Sequence, residues 1–257
     1  MKKVLGISLF ILVLMFGISS AQTVQELIAK ADSLTTKAFD DDAALKVLLQ
    51  AEKMEPNNWE IEWRLSRAYS NIAAHMPKDK KDEQYKVYQT ALKHANKAVK
   101  LAPNQSHAYV RRAIVNGRIA LFKGVFSVAG VVTKVRDDCL KSLKLNNGNV
   151  YTKALTHYIL ARTHAKLSQK WHPALTVLGL GWASLDTALV HYQKALDLAP
   201  QHIIFYVDYA KALYRDDQYR KAKKLLEKAL TLKITERDDP ERLKEARALL
   251  KEVNDEL

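Results

Sequence analysis

The sequence predicts an all-α protein, a solenoid of about five helical hairpins closed by a C-terminal capping helix. Three observations predict it. The first is internal repetition: KVLLQAEKMEPNNW at 46–59, KHANKAVKLAPNQS at 93–106 and HYQKALDLAPQHII at 191–204 share one pattern, and DDCLKSLKLNNGNV at 137–150 follows it with Asn147 where the others carry Pro56, Pro103 and Pro200. Each reads as the end of an amphipathic helix, a turn and the start of another helix. Proline there stops the helix, because it lacks the N–H and clashes with the preceding turn. The second is the scarcity of punctuation: 8 Gly and 6 Pro in 257 residues are too few for a turn-rich β domain. The third is a hydrophobic content of 48%, which suits a packed core rather than a disordered chain.

The elements follow in order. Met1-Lys2-Lys3, an apolar run from Val4 to Ile18 and the small residues Ser19-Ser20-Ala21 have the layout of a secretory signal peptide. The run is shorter than the ~20 residues of a membrane-spanning helix. Cleavage after Ala21 is expected, leaving 257 − 21 = 236 residues and placing the protein in the periplasm or outside the cell. Residues 22–257 then form one helical repeat domain. Its first helix, about 23–38, carries Asp32 near a site that is usually small. Asp40-Asp41-Asp42 reads as a helix start, where a carboxylate accepts backbone N–H groups.

The unit at 203–232 is the most regular. Tyr206, Tyr209, Ala210 and Leu213 share one helix, and Tyr219, Ala222, Leu226, Ala229 and Leu232 the next. The alanines allow two antiparallel helices to approach closely. This pattern resembles a tetratricopeptide repeat of about 34 residues with paired helices A and B, which implies a right-handed solenoid whose A helices line a concave groove. The intervals Pro56–Pro103, Pro103–Asn147 and Asn147–Pro200 are longer, at 47, 44 and 53 residues. The excess falls at the A–B junctions near 72–84, 119–132 and 169–183, which a stacked solenoid places along one edge. The first insert is polar and reads as a solvated loop. The other two are apolar and are expected to pack on each other, or else to present an exposed patch of Phe122, Phe126, Trp171, Leu178 and Trp182. The tail 238–257, with Pro240 in its first turn, reads as the capping helix.

The long spacings, the apolar insert before LDTALVHYQKALDLAP and the opening WEIEWRLSRAYSNIA at 59–73 together resemble the regulator-of-microtubule-dynamics family over roughly 24–252. Animal members of that family are implied to associate with microtubules or mitochondria. The secretory layout argues against carrying that role over, so the resemblance implies a fold and no reaction.

Phosphate-binding glycine loops, nucleophile elbows and the H-E-x-x-H zinc motif are missing from the sequence. Cys139 is the single cysteine, so no internal disulfide forms, and its apolar position marks it as a buried thiol. His157 and His164 share a helix face, and His172 and His191 could approach them, but converging metal ligands with supporting partners are not evident. No enzyme activity, cofactor or metal is expected. The groove stripe is the candidate site: Trp63 with Arg67, Arg111, Tyr158 with Arg162, and Lys211 with Tyr214. Aromatic and basic side chains there suit an extended, acidic protein or peptide segment. The formal net charge of +13 agrees with an acidic partner or an envelope component, and export disfavours nucleic acid. The sequence thus predicts an exported scaffold. A second reading is a small-ligand carrier serving a transporter, with a pocket at the apolar inserts around Trp171 and Trp182.

Overall fold

The computed structural model describes residues 23–257, so the leader expected at 1–21 lies outside the described residues. Among them there are twelve α-helices and no strand: α1 (Val24–Ser33), α2 (Asp41–Met54), α3 (Trp59–His75), α4 (Lys81–Leu101), α5 (Ser106–Lys123), α6 (Ala129–Leu145), α7 (Val150–Leu167), α8 (His172–Val177), α9 (Leu185–Leu198), α10 (Ile203–Tyr214), α11 (Tyr219–Leu230) and α12 (Asp239–Asp255). Helices α1/α2, α3/α4, α5/α6, α7/α9 and α10/α11 pack as five consecutive hairpins, and α12 packs on α10 and α11. The first members α3, α5, α7 and α10 also touch one another in series, which stacks the hairpins into a solenoid.

Local chemistry explains where these helices begin and end. Thr23 and Glu26 form a reciprocal capping box on α1. The side chains of Asp40, Asn58, Asn149 and Ser184 each accept a backbone N–H in the first turn of their helices. Helices α2, α4 and α9 stop two residues before Pro56, Pro103 and Pro200. Helix α6 has no proline to stop it and ends instead on Asn146, at φ 50° in the left-handed region that asparagine tolerates. Alanines at 44, 51, 68, 91, 95, 98, 113, 195, 210, 222 and 229 are fully buried, which lets the paired helices approach closely.

The junctions differ from expectation in an instructive way. The polar stretch 72–84 is not a long loop: α3 continues to His75 and α4 begins at Lys81, leaving 76–80 outside the helices. The second junction turns at Gly124, whose φ of 87° a side chain would oppose, through a short 3-10 turn from Val125 to Val128. In both, the extra residues lengthen the helices, because a helix satisfies its own backbone hydrogen bonds where an open loop does not. Only the third junction holds an inserted element, α8. Leu175 of α8, with Leu180 and Trp182 after it, clusters with Val128, Ala129 and Val132 of the second junction, so the two apolar inserts share a small core.

Candidate functional site: an arginine-lined groove

The A helices carry the basic side chains inward at helical spacing. Arg67 lies on α3, Arg111 and Arg118 seven residues apart on one face of α5, and Arg162 and Lys166 four apart on α7. With Arg237 and Arg242 from the α11–α12 connection and the start of α12, they line a groove of about 460 Å³. Its floor is apolar in part, with Ile114, Val115, Leu155, Ile159 and Phe205. The π-turn after α1 contributes Thr35 and Thr36, and Phe39 beside them has φ 54°.

The carboxylates on this groove are Asp41, Glu236 and Asp238, and all are engaged near one rim. Asp41 accepts from Asn71 Nδ2 at 3.0 Å and lies 4.0 Å from Arg237. Glu236 faces His202 at 3.1 Å and Arg242 at 2.5 Å. Burial alone would raise the Glu236 carboxyl, but hydrogen bonds from His202 and Arg242 hold it down to about 2. Asp238 Oδ1 meets His75 Nε2 at 2.7 Å, across 163 residues of sequence. That contact ties the second hairpin, and Arg237 through Asp41 the first, to the α11–α12 connection at one rim of the groove.

The arginines away from that rim are differently placed. Arg111 donates to His107 Nε2 at 3.0 Å and lies over the Trp63 ring at 4.9 Å. Arg118 donates to Ser70 Oγ at 2.7 Å and Asn71 Oδ1 at 2.9 Å. Among the described residues neither has a carboxylate within ion-pair distance. Burial, and then repulsion from Arg67, pulls the Arg111 guanidinium down to about 10; burial also lowers that of Arg118. Among the described residues, Thr35 Oγ1, Ser66 Oγ, Arg67 Nε and Arg162 Nε, all from residues on the groove, are buried without a hydrogen-bond partner, Arg162 Nε lying 3.7 Å from Asp208 Oδ2. An unsatisfied buried donor costs about 1–3 kcal/mol, more when charged. A groove with this much unused donor capacity is complementary to an anion with several acceptor oxygens.

The residues singled out from sequence are distributed as follows. Arg67, Arg111, Tyr158 and Arg162 line the groove together. Trp63 does not: it is 6% exposed, beneath Arg64, Arg67 and Arg111, whose guanidiniums stack over it at 4.0, 5.1 and 4.9 Å. Lys211 and Tyr214 border a separate shallow depression with Asp208 and Leu249, and Lys211 is paired with Glu245 at 2.6 Å. The proposed apolar patch is not one surface. Phe122 packs against Tyr85 and Tyr88, and Trp182 lies in the insert core beneath Arg136. Trp171 and Leu178 remain exposed, and the side chain of Phe126 lies outside the described residues.

Arg118, Arg242, Ser66 and His75 were missed. Arg118 had a usable signal in its seven-residue spacing from Arg111. The last two depend on contacts that no local pattern encodes. Cys139 is buried against Ala113, Val135 and Leu160, and burial pushes its thiol far up. His157 Nδ1 and His191 Nδ1 are 2.9 Å apart with His164 stacked on His191, whereas His172 is exposed on α8. Glu52, Glu62 and His94 converge at ligand distance, with the Lys97 ammonium 2.6 Å from Glu62 Oε1.

The helix pairing and the groove define a tetratricopeptide-like helical solenoid. The chain belongs to the family described as regulator of microtubule dynamics protein 1-3, whose model it matches over residues 27–254. No curated protein matches by sequence. Among solved structures it is similar to TTC0263, a tetratricopeptide protein of Thermus thermophilus, with 16% identity, a TM-score of 0.62, and 88% of this chain and 100% of that one covered. It is also similar to PilF of Pseudomonas aeruginosa (11% identity, TM-score 0.50, 90% and 91% covered). MamA from Desulfovibrio magneticus RS-1 is a third (17%, 0.50, 82% and 96%). At these identities the likeness is one of fold. Among the described residues no helix is long and apolar enough to cross a membrane.

Proposed function

We propose that this protein is an exported, non-catalytic scaffold that holds an acidic segment of a partner protein in its arginine-lined groove. The observation that carries this reading is the pair Arg111 and Arg118, two guanidiniums on the groove that form no ion pair with a carboxylate among the described residues. A peptide rich in Asp and Glu supplies the missing acceptors, and the apolar floor takes side chains between them. Glutamine at both positions keeps a polar side chain and removes the charge. Arg111→Gln with Arg118→Gln is expected to weaken capture of acidic peptides at least about tenfold, since a charge-assisted hydrogen bond contributes about 1.5–3 kcal/mol. Capture unchanged by the double substitution, with the fold intact by circular dichroism, excludes the groove. Export rests on the N-terminal sequence alone, and N-terminal sequencing of the protein from its native host tests it: a start at Gln22 is expected.

A second reading is a carrier of small anions working with a transporter. It is favoured by the His75–Asp238 contact, which bounds the groove at one rim. The pocket for that reading is the groove and not the region around Trp171 and Trp182, where one ring is exposed and the other packed. Thermal shifts with small di- and tricarboxylates, absent with acidic peptides, distinguish it from the first.

A further inference from the structure

From Gln84 to Leu185 the only acidic residues are Asp137 and Asp138, set against sixteen Lys and Arg. Both are engaged: Asp138 is paired with Arg112 at 2.6 Å and Asp137 with Arg136 at 3.2 Å. The excess positive charge therefore belongs to the middle hairpins and not to the ends of the solenoid.

The same stretch carries the most exposed apolar side chains of the third insert. Trp171 is 72% and Val177 87% exposed, and Leu178 follows at 37%. Trp171 and Leu178 flank α8 and Val177 ends it, and its six residues span only about 9 Å. Leu175 and Leu180 bury the other side of this insert against the second junction, so its orientation is fixed and its apolar tip points away from the fold. Lys123, Lys134 and Lys170 of these two junctions are exposed, and none has a carboxylate within ion-pair distance among the described residues.

We propose that this edge docks on an anionic lipid bilayer surface, with Trp171, Val177 and Leu178 seated at the headgroup–acyl boundary. An indole beside lysines is the composition of a membrane interface, where the ring finds both apolar and polar surroundings. Unpaired lysines near an anionic leaflet add attraction that salt screens. An acidic protein or a nucleic acid would use the lysines but gives no reason for a nearly fully exposed valine at the tip. The edge does not overlap the arginine groove, so a protein docked this way keeps the groove available.

The test uses the full chain with vesicles of phosphatidylcholine alone and of phosphatidylcholine containing about one third phosphatidylglycerol. Sedimentation with the anionic vesicles only, lost in high salt, is expected. Trp171→Ser with Val177→Ser touches only exposed side chains and is expected to weaken that binding about tenfold, in line with the apolar area withdrawn. Brominated lipids are expected to quench Trp emission in the native chain more than in Trp171→Phe. Arg111→Gln with Arg118→Gln is expected to leave vesicle binding unchanged, which separates this surface from the groove. Equal binding to neutral vesicles, equal quenching in Trp171→Phe, or binding to polyphosphate and not to vesicles overturns the proposal.

Discussion

His75 Nε2 and Asp238 Oδ1 meet at 2.7 Å although 163 residues separate them, and this contact joins the second hairpin to the connection before the capping helix. Both side chains are partly exposed, so the pair adds little to overall stability. Its effect is on the shape of the groove. His75→Ala is expected to change the unfolding midpoint slightly while amide exchange quickens in the α11–α12 connection. Unchanged exchange there would show that the contact constrains nothing.

Asp32 stands where a small residue was expected and binds two arginines. It accepts from Arg64 at 2.8 Å and from Arg67 at 2.6 Å. Burial raises its carboxyl, but the two guanidiniums outweigh that and hold it below the usual range. Asp32→Asn is expected to cost roughly 1–3 kcal/mol of stability. It also frees Arg67 toward the groove, so anion affinity is expected to rise. Chemical denaturation and peptide titration of one variant check both signs, and a fall in both would contradict the account.

The histidine cluster sets a pH dependence. Burial, then mutual repulsion with His191, lowers His157 from 6.5 to about 4; burial followed by the same neighbour lowers His164 to about 4. The unfolded chain takes up protons near pH 6.5, while the folded chain does not until about pH 4. Stability from these groups is therefore complete above about pH 6.5 and declines as the pH falls through that window. The thermal midpoint is expected to be lower at pH 5 than at pH 7. His157→Gln with His164→Gln should flatten the difference; an undiminished slope would assign it elsewhere.

The hairpin core predicts a contrast between two aliphatic side chains. Leu226 on α11 is fully buried, and Leu226→Ala is expected to cost about 2–5 kcal/mol. Leu140 on α6 is 51% exposed, and Leu140→Ala should stay within about 0.5 kcal/mol. Similar losses at both positions would mean that the outer faces of the B helices are buried in an oligomer.

Much of the fold was legible in the sequence because its signals are local. Helix stops at Pro56, Pro103 and Pro200, alanines at the contact positions and the capping helix at Pro240 each act within a few residues. The junctions were less legible: a helix extended past its partner keeps the same periodicity as one packed along its whole length, so 72–84 read as a loop. The groove was half legible. Arg67, Arg111, Tyr158 and Arg162 followed from helical spacing, but whether an aromatic faces inward or lies beneath its neighbours depends on packing, and Trp63 went under three arginines. The His75–Asp238 contact had no sequence signal, because superhelical curvature and not a motif brings those residues together.

On the proposed reading, Arg111 and Arg118 are held for a ligand and not for the fold. Equilibrium denaturation of Arg111→Met with Arg118→Met in the absence of ligand tests it most directly. Unchanged or higher stability is expected, since replacing buried guanidiniums that form no ion pair among the described residues removes a desolvation cost, together with lost capture of acidic peptides. A loss of several kcal/mol would make the two arginines structural and contradict the claim.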